Sequence, residues 1–156
     1  MDPSLQNLPI AVDLDGTLLR TDTLAEGFVD ALLRRPLSTL ITLTSLGKGR
    51  AQFKQKIHKL SQCDLSTLPV RTDLLDYLTE EKRKGRPIYL VTAATQEIAD
   101  NVKSRFSKII DEAFGSSMSL NLKAENKRKF LEDKFPDGYI YAVSYTHLTL
   151  PTICSV

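Results

Sequence analysis

The chain has 156 residues, of which 42% are hydrophobic and 26% charged, and its formal net charge is +2. This composition is typical of one globular domain that buries a real core, and it excludes disordered and collagen-like chains. The basic residues form no stripe with interleaved aromatics, so no nucleic-acid partner is expected.

The N-terminus and the two cysteines bear on location. Cys63 and Cys154 have neither CxxC spacing nor histidines at metal-ligand spacing, which argues against a disulfide framework and a zinc site. Residues 1–12 lack the charged and apolar regions of a signal peptide, and the longest apolar stretch, Leu37–Leu46, is too short to span a membrane. We therefore expect a soluble, cytoplasmic chain.

Apolar runs over residues 9–13, 86–92 and 138–142 predict buried parallel strands. Helical patterns cover residues 23–35, 37–46, 50–60, 71–84, 95–106 and 125–135, and a further short strand is expected before the last of them. Strands that alternate with helices predict an α/β fold with a doubly wound parallel sheet, whose ligands lie at the carboxyl ends of the strands.

The most specific chemical motif follows the first strand and reads Val-Asp-Leu-Asp-Gly-Thr-Leu over residues 12–18. Asp13 and Asp15 are separated by one residue and followed by Gly16, which lets the chain turn sharply, so both carboxylates can point toward one phosphoryl group. The alternative is that Asp15 is a turn residue that caps Thr17.

This heptapeptide resembles the DxDGT signature of the haloacid dehalogenase (HAD) superfamily. The resemblance implies that Asp13 attacks phosphorus to form an aspartyl-phosphate, and that Asp15 protonates the leaving oxygen and then activates water. It also implies that Gly16 and Thr17 contribute to substrate binding. An Asp at the second position is found in the phosphatases of the superfamily and not in its dehalogenases, so phosphoryl transfer is favoured.

Two later segments resemble the next motifs of the superfamily. Residues 89–94 read Tyr-Leu-Val-Thr-Ala-Ala, and the resemblance implies that the Thr92 hydroxyl and the Ala93 amide bind a phosphate oxygen. The alternative is that Thr92 caps the following helix. The motif lysine is best matched by Lys127, which precedes an apolar pair, with Lys123 as second choice.

The resemblance also implies a Mg²⁺ site that the sequence does not complete. The ion is expected at Asp13 and at the main-chain carbonyl of Asp15. The resemblance expects a Gly-Asp-Ser or Gly-Asn-Ser motif after Ala142, and another Asp a few residues on, to complete the site. The sequence instead continues with Val143-Ser144, and no acid follows Asp137. The third metal-binding acid is therefore missing.

Residues 143–152 translate GTC TCT TAT ACA CAT CTG ACG CTG CCG ACG, the transposase end and linker of a sequencing adaptor. In that adaptor a short index, a valine codon and a stop come next, which matches residues 153–156. We therefore interpret residues 143–156 as adaptor translation in a metagenomic sequence, and give no functional weight to His147 or Cys154.

The predicted organisation is a HAD core over residues 8–17 and 86–142, with a small helical cap over residues 18–85. Within the cap, Leu37–Leu46 is interpreted as buried core in preference to a lipid-binding surface. A group of basic side chains is interpreted as solvated surface, with substrate contact as the alternative: Arg50, Lys54, Lys56 and His58.

A narrower resemblance covers residues 8–142, which look like the soluble HAD-like domain fused ahead of UbiA-type membrane prenyltransferases. The leading hypothesis is a Mg²⁺-dependent phosphohydrolase that acts on a small phosphorylated substrate, with the chain as written nearly inactive. The alternative is a phospho-ligand-binding domain that regulates an attached membrane prenyltransferase. No membrane contact is expected for this part of the protein itself.

Overall fold

The computed structural model describes residues 8–44, 50–61, 67–117, 122–143 and 152–154. Its strands are β1 (Ile10–Val12), β2 (Ile88–Thr95), β3 (Glu112–Ser116), β4 (Tyr139–Ala142) and β5 (Thr152–Cys154). Its helices are α1 (Thr23–Arg34), α2 (Pro36–Leu43), α3 (Arg50–Leu60), α4 (Thr72–Arg83), α5 (Gln96–Arg105) and α6 (Glu125–Lys134). Within these described residues, no helix has the length and apolar character needed to cross a membrane.

The five strands form one sheet in the order β3-β2-β1-β4-β5, with β1 at its centre. The β1–β2, β1–β4 and β2–β3 pairs are parallel, which confirms the predicted fold class. Strand β2 continues to Thr95, beyond the predicted end at Thr92, because it pairs again with Ser116 after a shift in register. The carboxyl ends of β1, β2 and β4 therefore lie side by side.

Strand β5 lies at the edge of the sheet and pairs antiparallel with β4. The adaptor interpretation predicts poor packing for residues 143–156, and it gave no reason to expect a strand there. Only the backbone of β5 is described, and residues 144–151, 155 and 156 lie outside the described residues. Poor packing of this segment therefore stays a prediction.

Both faces of the sheet are covered, which explains why the strands are apolar throughout. Ile10 and Val12 point to one face, where they pack with residues of α4 and α5, while Ala11 points to the other face, toward α6. Ile10 and Val12 are fully buried, and each side chain stabilises the fold by about 1.5–3 kcal/mol. This packing fixes the direction of β1 and so the position of the residue that follows it.

Helix α4 packs with the sheet, since Leu74, Leu75 and Leu78 belong to the same hydrophobic cluster as Ile10. It is the crossover between β1 and β2, although the predicted cap range included it. The three helices before it, α1 to α3, pack against one another. The packing therefore identifies α1–α3 as the helical unit beside the strand ends. The boundary of the predicted cap, residues 18–85, stays a prediction.

The prediction that Leu37–Leu46 is buried core is wrong for the described residues of that segment. Leu37 and Ile41 are 76% and 70% exposed, whereas Thr39 is fully buried. The apolar pattern indicated a buried helix, but α2 turns its threonines inward. Their hydroxyls make this possible by donating to backbone carbonyls one turn earlier.

Candidate active site

Asp13 follows β1 directly and lies at the carboxyl end of the central strand. Its backbone amide donates to the Ala142 carbonyl at 3.2 Å, which ties it to the end of β4. Its side chain is 19% exposed, so the carboxylate is screened by protein but reachable from the cleft. The sheet thus holds the first predicted site residue between two anchored strand ends.

The loop after Asp13 is a tight, hydrogen-bonded turn. Gly16 adopts a φ of +70°, a left-handed conformation that glycine reaches without steric cost. Leu18 and Leu19 donate to the carbonyls of Asp13 and Leu14 at 3.3 and 2.9 Å. Thr17 is 2% exposed, so its side chain supports the loop from inside. The described loop therefore fixes both acids by backbone bonds and buried side chains.

Lys127 is the lysine that the structure brings to Asp13. Its Nζ donates to Asp13 Oδ1 at 2.6 Å, and its side chain is 10% exposed. Lys123 lines the same cleft but is exposed and makes no ion pair among the described residues. The second oxygen of Asp13, Oδ2, has no hydrogen-bond partner in the described part of the chain, so it is the oxygen left for a ligand.

A turn before α6 places Lys127, and nothing in the residue pattern indicates it. Ala124 has a φ of 45°, which is unusual for a residue with a side chain and costs about 1–3 kcal/mol. The Lys127 and Arg128 amides both donate to the Ala124 carbonyl at 3.1 Å. A strained turn therefore starts α6 where its first turn faces Asp13.

Asp15 is held by the start of α1. Its Oδ1 accepts a hydrogen bond from the Thr23 amide at 2.7 Å, so Asp15 does not cap Thr17, and that alternative is wrong. Burial raises the pKa of the Asp15 carboxyl above its usual range, and the Thr23 hydrogen bonds oppose this shift. The charges of Asp22 and Asp13 raise the pKa further. A raised pKa favours the protonated form that an acid catalyst needs.

The raised pKa of Asp15 predicts a pH-dependent effect of Asp15→Asn on stability. Folding favours the protonated carboxyl, so this contribution is complete below the unfolded pKa of about 3.9 and is lost as pH rises through the folded pKa. Asparagine does not titrate. We expect the stability of Asp15→Asn relative to the parent to increase between pH 4 and pH 7, measured by urea unfolding in EDTA. The same change at exposed Asp133 is the control, and an equal increase there would contradict the assignment.

Thr92 is placed differently from the expectation. It is fully buried in β2, and its hydroxyl accepts from the Ala94 amide at 3.0 Å. The cleft is lined instead by the three residues after it: Ala93, Ala94 and Thr95. Thr95, and not Thr92, caps α5, so the N-cap alternative for Thr92 is wrong. Phosphate binding by Thr92 stays a prediction.

Helix α3 contributes two side chains that the sequence favoured as solvated surface. Lys54 Nζ donates to the Ala93 carbonyl at 2.7 Å, and His58 Nε2 lies 3.1 Å from Glu97 Oε2. Both line the cleft, whereas Lys56 is exposed as expected. The side chain of Arg50 lies outside the described residues. Lys54 therefore links the helical unit to the end of β2, which charge pattern alone did not indicate.

These groups surround one cleft of about 580 Å³ between the strand ends and α1 and α3. Asp13, Asp15 and Lys127 line its floor, while Phe53 and Ile57 add apolar surface from α3. Lys54 and His58 lie on the same side as that apolar surface. The cleft can therefore hold a small anionic group next to a partly apolar body.

The donor chemistry fits Mg²⁺, which proteins usually bind through one or two carboxylates plus waters and substrate phosphates. The Asp13 carboxylate and the backbone oxygen of Asp15 are hard oxygen donors of that kind. Among the described residues, however, no group of three or more acidic, His or Cys side chains is placed to hold a metal. These residues therefore fit a Mg²⁺ site whose coordination shell would be completed by substrate and water.

A curated protein is similar in sequence to most of this chain. No family model matches the chain. Protein y4nM of Sinorhizobium fredii, described as uncharacterized, is 42% identical over 137 residues, which cover 88% of this chain and 26% of that protein. This chain thus spans about a quarter of the length of that curated relative.

Two solved structures have a similar fold. The HAD-family hydrolase t0658 of Salmonella enterica serovar Typhi matches with a TM-score of 0.52 at 20% identity, over 83% of this chain and 52% of that one. A predicted phosphoglycolate phosphatase of Haemophilus somnus matches with a TM-score of 0.53 at 16% identity, over 84% and 72%. The chain therefore has the α/β fold of HAD-type hydrolases.

Proposed function

We propose that the chain forms part of the catalytic domain of a phosphohydrolase. This enzyme cleaves phosphomonoesters through an aspartyl-phosphate on Asp13. The observation that carries this proposal is the pairing of Lys127 with one oxygen of Asp13 while the other is left for the cleft. An oriented carboxylate beside an acid with a raised pKa is the arrangement that this chemistry requires.

In the first step, Asp13 Oδ2 attacks phosphorus and the bond from phosphorus to the leaving oxygen breaks. The protonated Asp15 gives its proton to that oxygen, so the alcohol leaves neutral. In the second step, the Asp15 carboxylate takes a proton from water as the water oxygen attacks phosphorus. The acyl-phosphate bond breaks, and phosphate and the Asp13 carboxylate are restored.

Lys127 and the cleft support both steps. The Lys127 ammonium offsets the negative charge of Asp13 and of the incoming phosphate, whose repulsion would otherwise raise the barrier. Mg²⁺, held by Asp13 and Asp15, supplies further neutralisation of the phosphoryl oxygens when bound. Helices α1 and α3 cover the strand ends and so limit the access of water.

The experiment that tests the proposal combines turnover with a phosphoryl mimic. Hydrolysis of an aryl phosphate in Mg²⁺ is compared between the chain as written and Ser144→Asp, which supplies an acid where the HAD resemblance expects one. Fluorine NMR then follows beryllium fluoride, which binds carboxylate nucleophiles. Bound resonances that disappear in Asp13→Asn support the nucleophile, and resonances that survive would contradict it.

The choice between the two lysines yields a second prediction. Lys127→Met is expected to lower turnover of Ser144→Asp by about a hundredfold, because it removes the cation that contacts Asp13. Lys123→Met removes an exposed lysine of the same cleft and should have an effect of less than about tenfold. Aryl phosphate kinetics on both variants measure the difference, and a larger loss in Lys123→Met would reverse the assignment.

A second candidate is a phospho-ligand-binding domain that regulates an attached membrane prenyltransferase. Two observations favour it: y4nM is nearly four times the length of the match, and the acids of the described site form no metal-binding group of three. If this second function is correct, the beryllium fluoride complex should form, but Ser144→Asp should hydrolyse no aryl phosphate. We also propose that the substrate is a small phosphomonoester, that the whole protein carries an attached membrane domain, and that residues 143–156 derive from a sequencing adaptor.

A further inference from the structure

Helices α1 and α2 expose an unusual amount of apolar surface. The apolar face consists of Val29, Leu32, Leu33, Leu37, Leu40, Ile41 and Leu43. All but one of the exposed large hydrophobic side chains in the described part of the chain belong to it, and the exception is Tyr77. Exposed apolar side chains concentrated on one pair of packed helices are typical of an interaction site.

The polarity of α2 is inverted relative to a helix that packs in a water-soluble domain. Leu37 and Ile41 are mostly exposed, while Thr39 and Thr42 are buried. The two threonine hydroxyls donate to the carbonyls of Arg35 and Ser38 at 3.0 and 2.8 Å, so their burial leaves no unsatisfied donor. The outward apolar face is thus a stable feature of the helix.

The charge of the same region indicates which partner covers the face. Residues 31–63 contain none of the 19 acids of the chain, although the whole chain is nearly neutral. They contain seven of its 21 lysines and arginines: Arg34, Arg35, Lys48, Arg50, Lys54, Lys56 and Lys59. Arg35, Lys56 and Lys59 are exposed. Of the others, Lys54 contacts the Ala93 carbonyl and Arg34 pairs with Asp30, while Lys48 and the side chain of Arg50 lie outside the described residues. Exposed apolar side chains with exposed cations and no acids in the same stretch of chain match the interface of an anionic bilayer.

We propose that the apolar face lies against the surface of a lipid bilayer, with the exposed cations Arg35, Lys56 and Lys59 near anionic headgroups. Helix α2 then lies in the plane of the interface, and its leucines enter the boundary between headgroups and acyl chains. The sequence predicted no membrane contact, because Leu37–Leu46 is too short to span a membrane and was interpreted as cap core. The proposal does not depend on the reaction proposed for Asp13.

The test is co-sedimentation of the full chain with vesicles of phosphatidylcholine alone and of phosphatidylcholine mixed with phosphatidylglycerol. We expect binding to the mixed vesicles that weakens with added salt. The triple variant Leu37→Ser, Leu40→Ser, Ile41→Ser should bind at least about tenfold more weakly, because three inserted side chains are lost. Tyr77→Ser removes an exposed apolar side chain elsewhere and should bind like the parent.

The charge contribution is tested separately with Lys56→Glu, Lys59→Glu, which should lose the preference for anionic vesicles. Lys108→Glu, Lys129→Glu makes the same net change on other exposed sites and should keep it. Circular dichroism confirms that each variant is folded. Equal binding by parent and triple variant, or none by either, overturns the proposal. So does a light-scattering mass that halves in the triple variant, because a second copy would then cover the face.

Discussion

Asp13→Asn is expected to lower phosphomonoester turnover of Ser144→Asp by at least about a thousandfold. The carboxamide oxygen is a poor nucleophile and cannot form an acyl-phosphate, so the first step has no acceptor. The fold should remain, because the amide oxygen can still accept the hydrogen bond that Lys127 donates to Asp13. Aryl phosphate kinetics measure the loss, and thermal unfolding confirms the fold.

The matched control for this prediction is Asp133→Asn, which makes the same change at an exposed acid of α6. Its turnover should equal that of the parent, because Asp133 does not line the cleft. If Asp13→Asn keeps a rate within about tenfold of the parent, hydrolysis does not proceed through Asp13. The proposed mechanism would then be wrong even if the fold were intact.

Much of the fold could be predicted because its signals are local. Strand β1 ends where an apolar run meets Asp13, and α4 and α6 begin and end within about two residues of prediction. Strand β2 exceeded its predicted end because pairing with Ser116 is a tertiary contact. Helix α2 was found, but its orientation was not, because a helical period does not say which face a neighbour covers.

Part of the candidate site could likewise be predicted from the sequence, and part of it could not. Asp13, Asp15 and Gly16 lie within four residues of sequence, and their spacing indicates the site. The contact between Lys127 and Asp13 spans 114 positions, and only the resemblance could select that lysine. The Lys54 contact with the Ala93 carbonyl and the Thr23 amide that holds Asp15 depend on how α1 and α3 pack. Any residue can supply such a backbone group, so the sequence carries no signal for these contacts.

The chain as written is expected to turn over phosphomonoesters at least about a thousandfold more slowly than Ser144→Asp. Asp13, Asp15 and Asp22 line the described cleft but form no metal-binding group of three. The anionic nucleophile must therefore meet a dianionic phosphate with Lys127 as the contacting cation. A further carboxylate would strengthen Mg²⁺ binding, and about 4 kcal/mol of transition-state stabilisation corresponds to that factor. Aryl phosphate kinetics across a Mg²⁺ titration measure both rate and metal affinity.

Ser144→Ala is the matched control, since it changes the same position without adding an oxygen ligand. We expect Ser144→Asp to gain a Mg²⁺-dependent rate that Asp13→Asn abolishes, and Ser144→Ala to gain none. Comparable Mg²⁺-dependent rates in the written chain and in Ser144→Asp would show that the acids already present suffice. The charge at position 144 would then not limit the reaction, and residues 143–156 would not be what lowers activity.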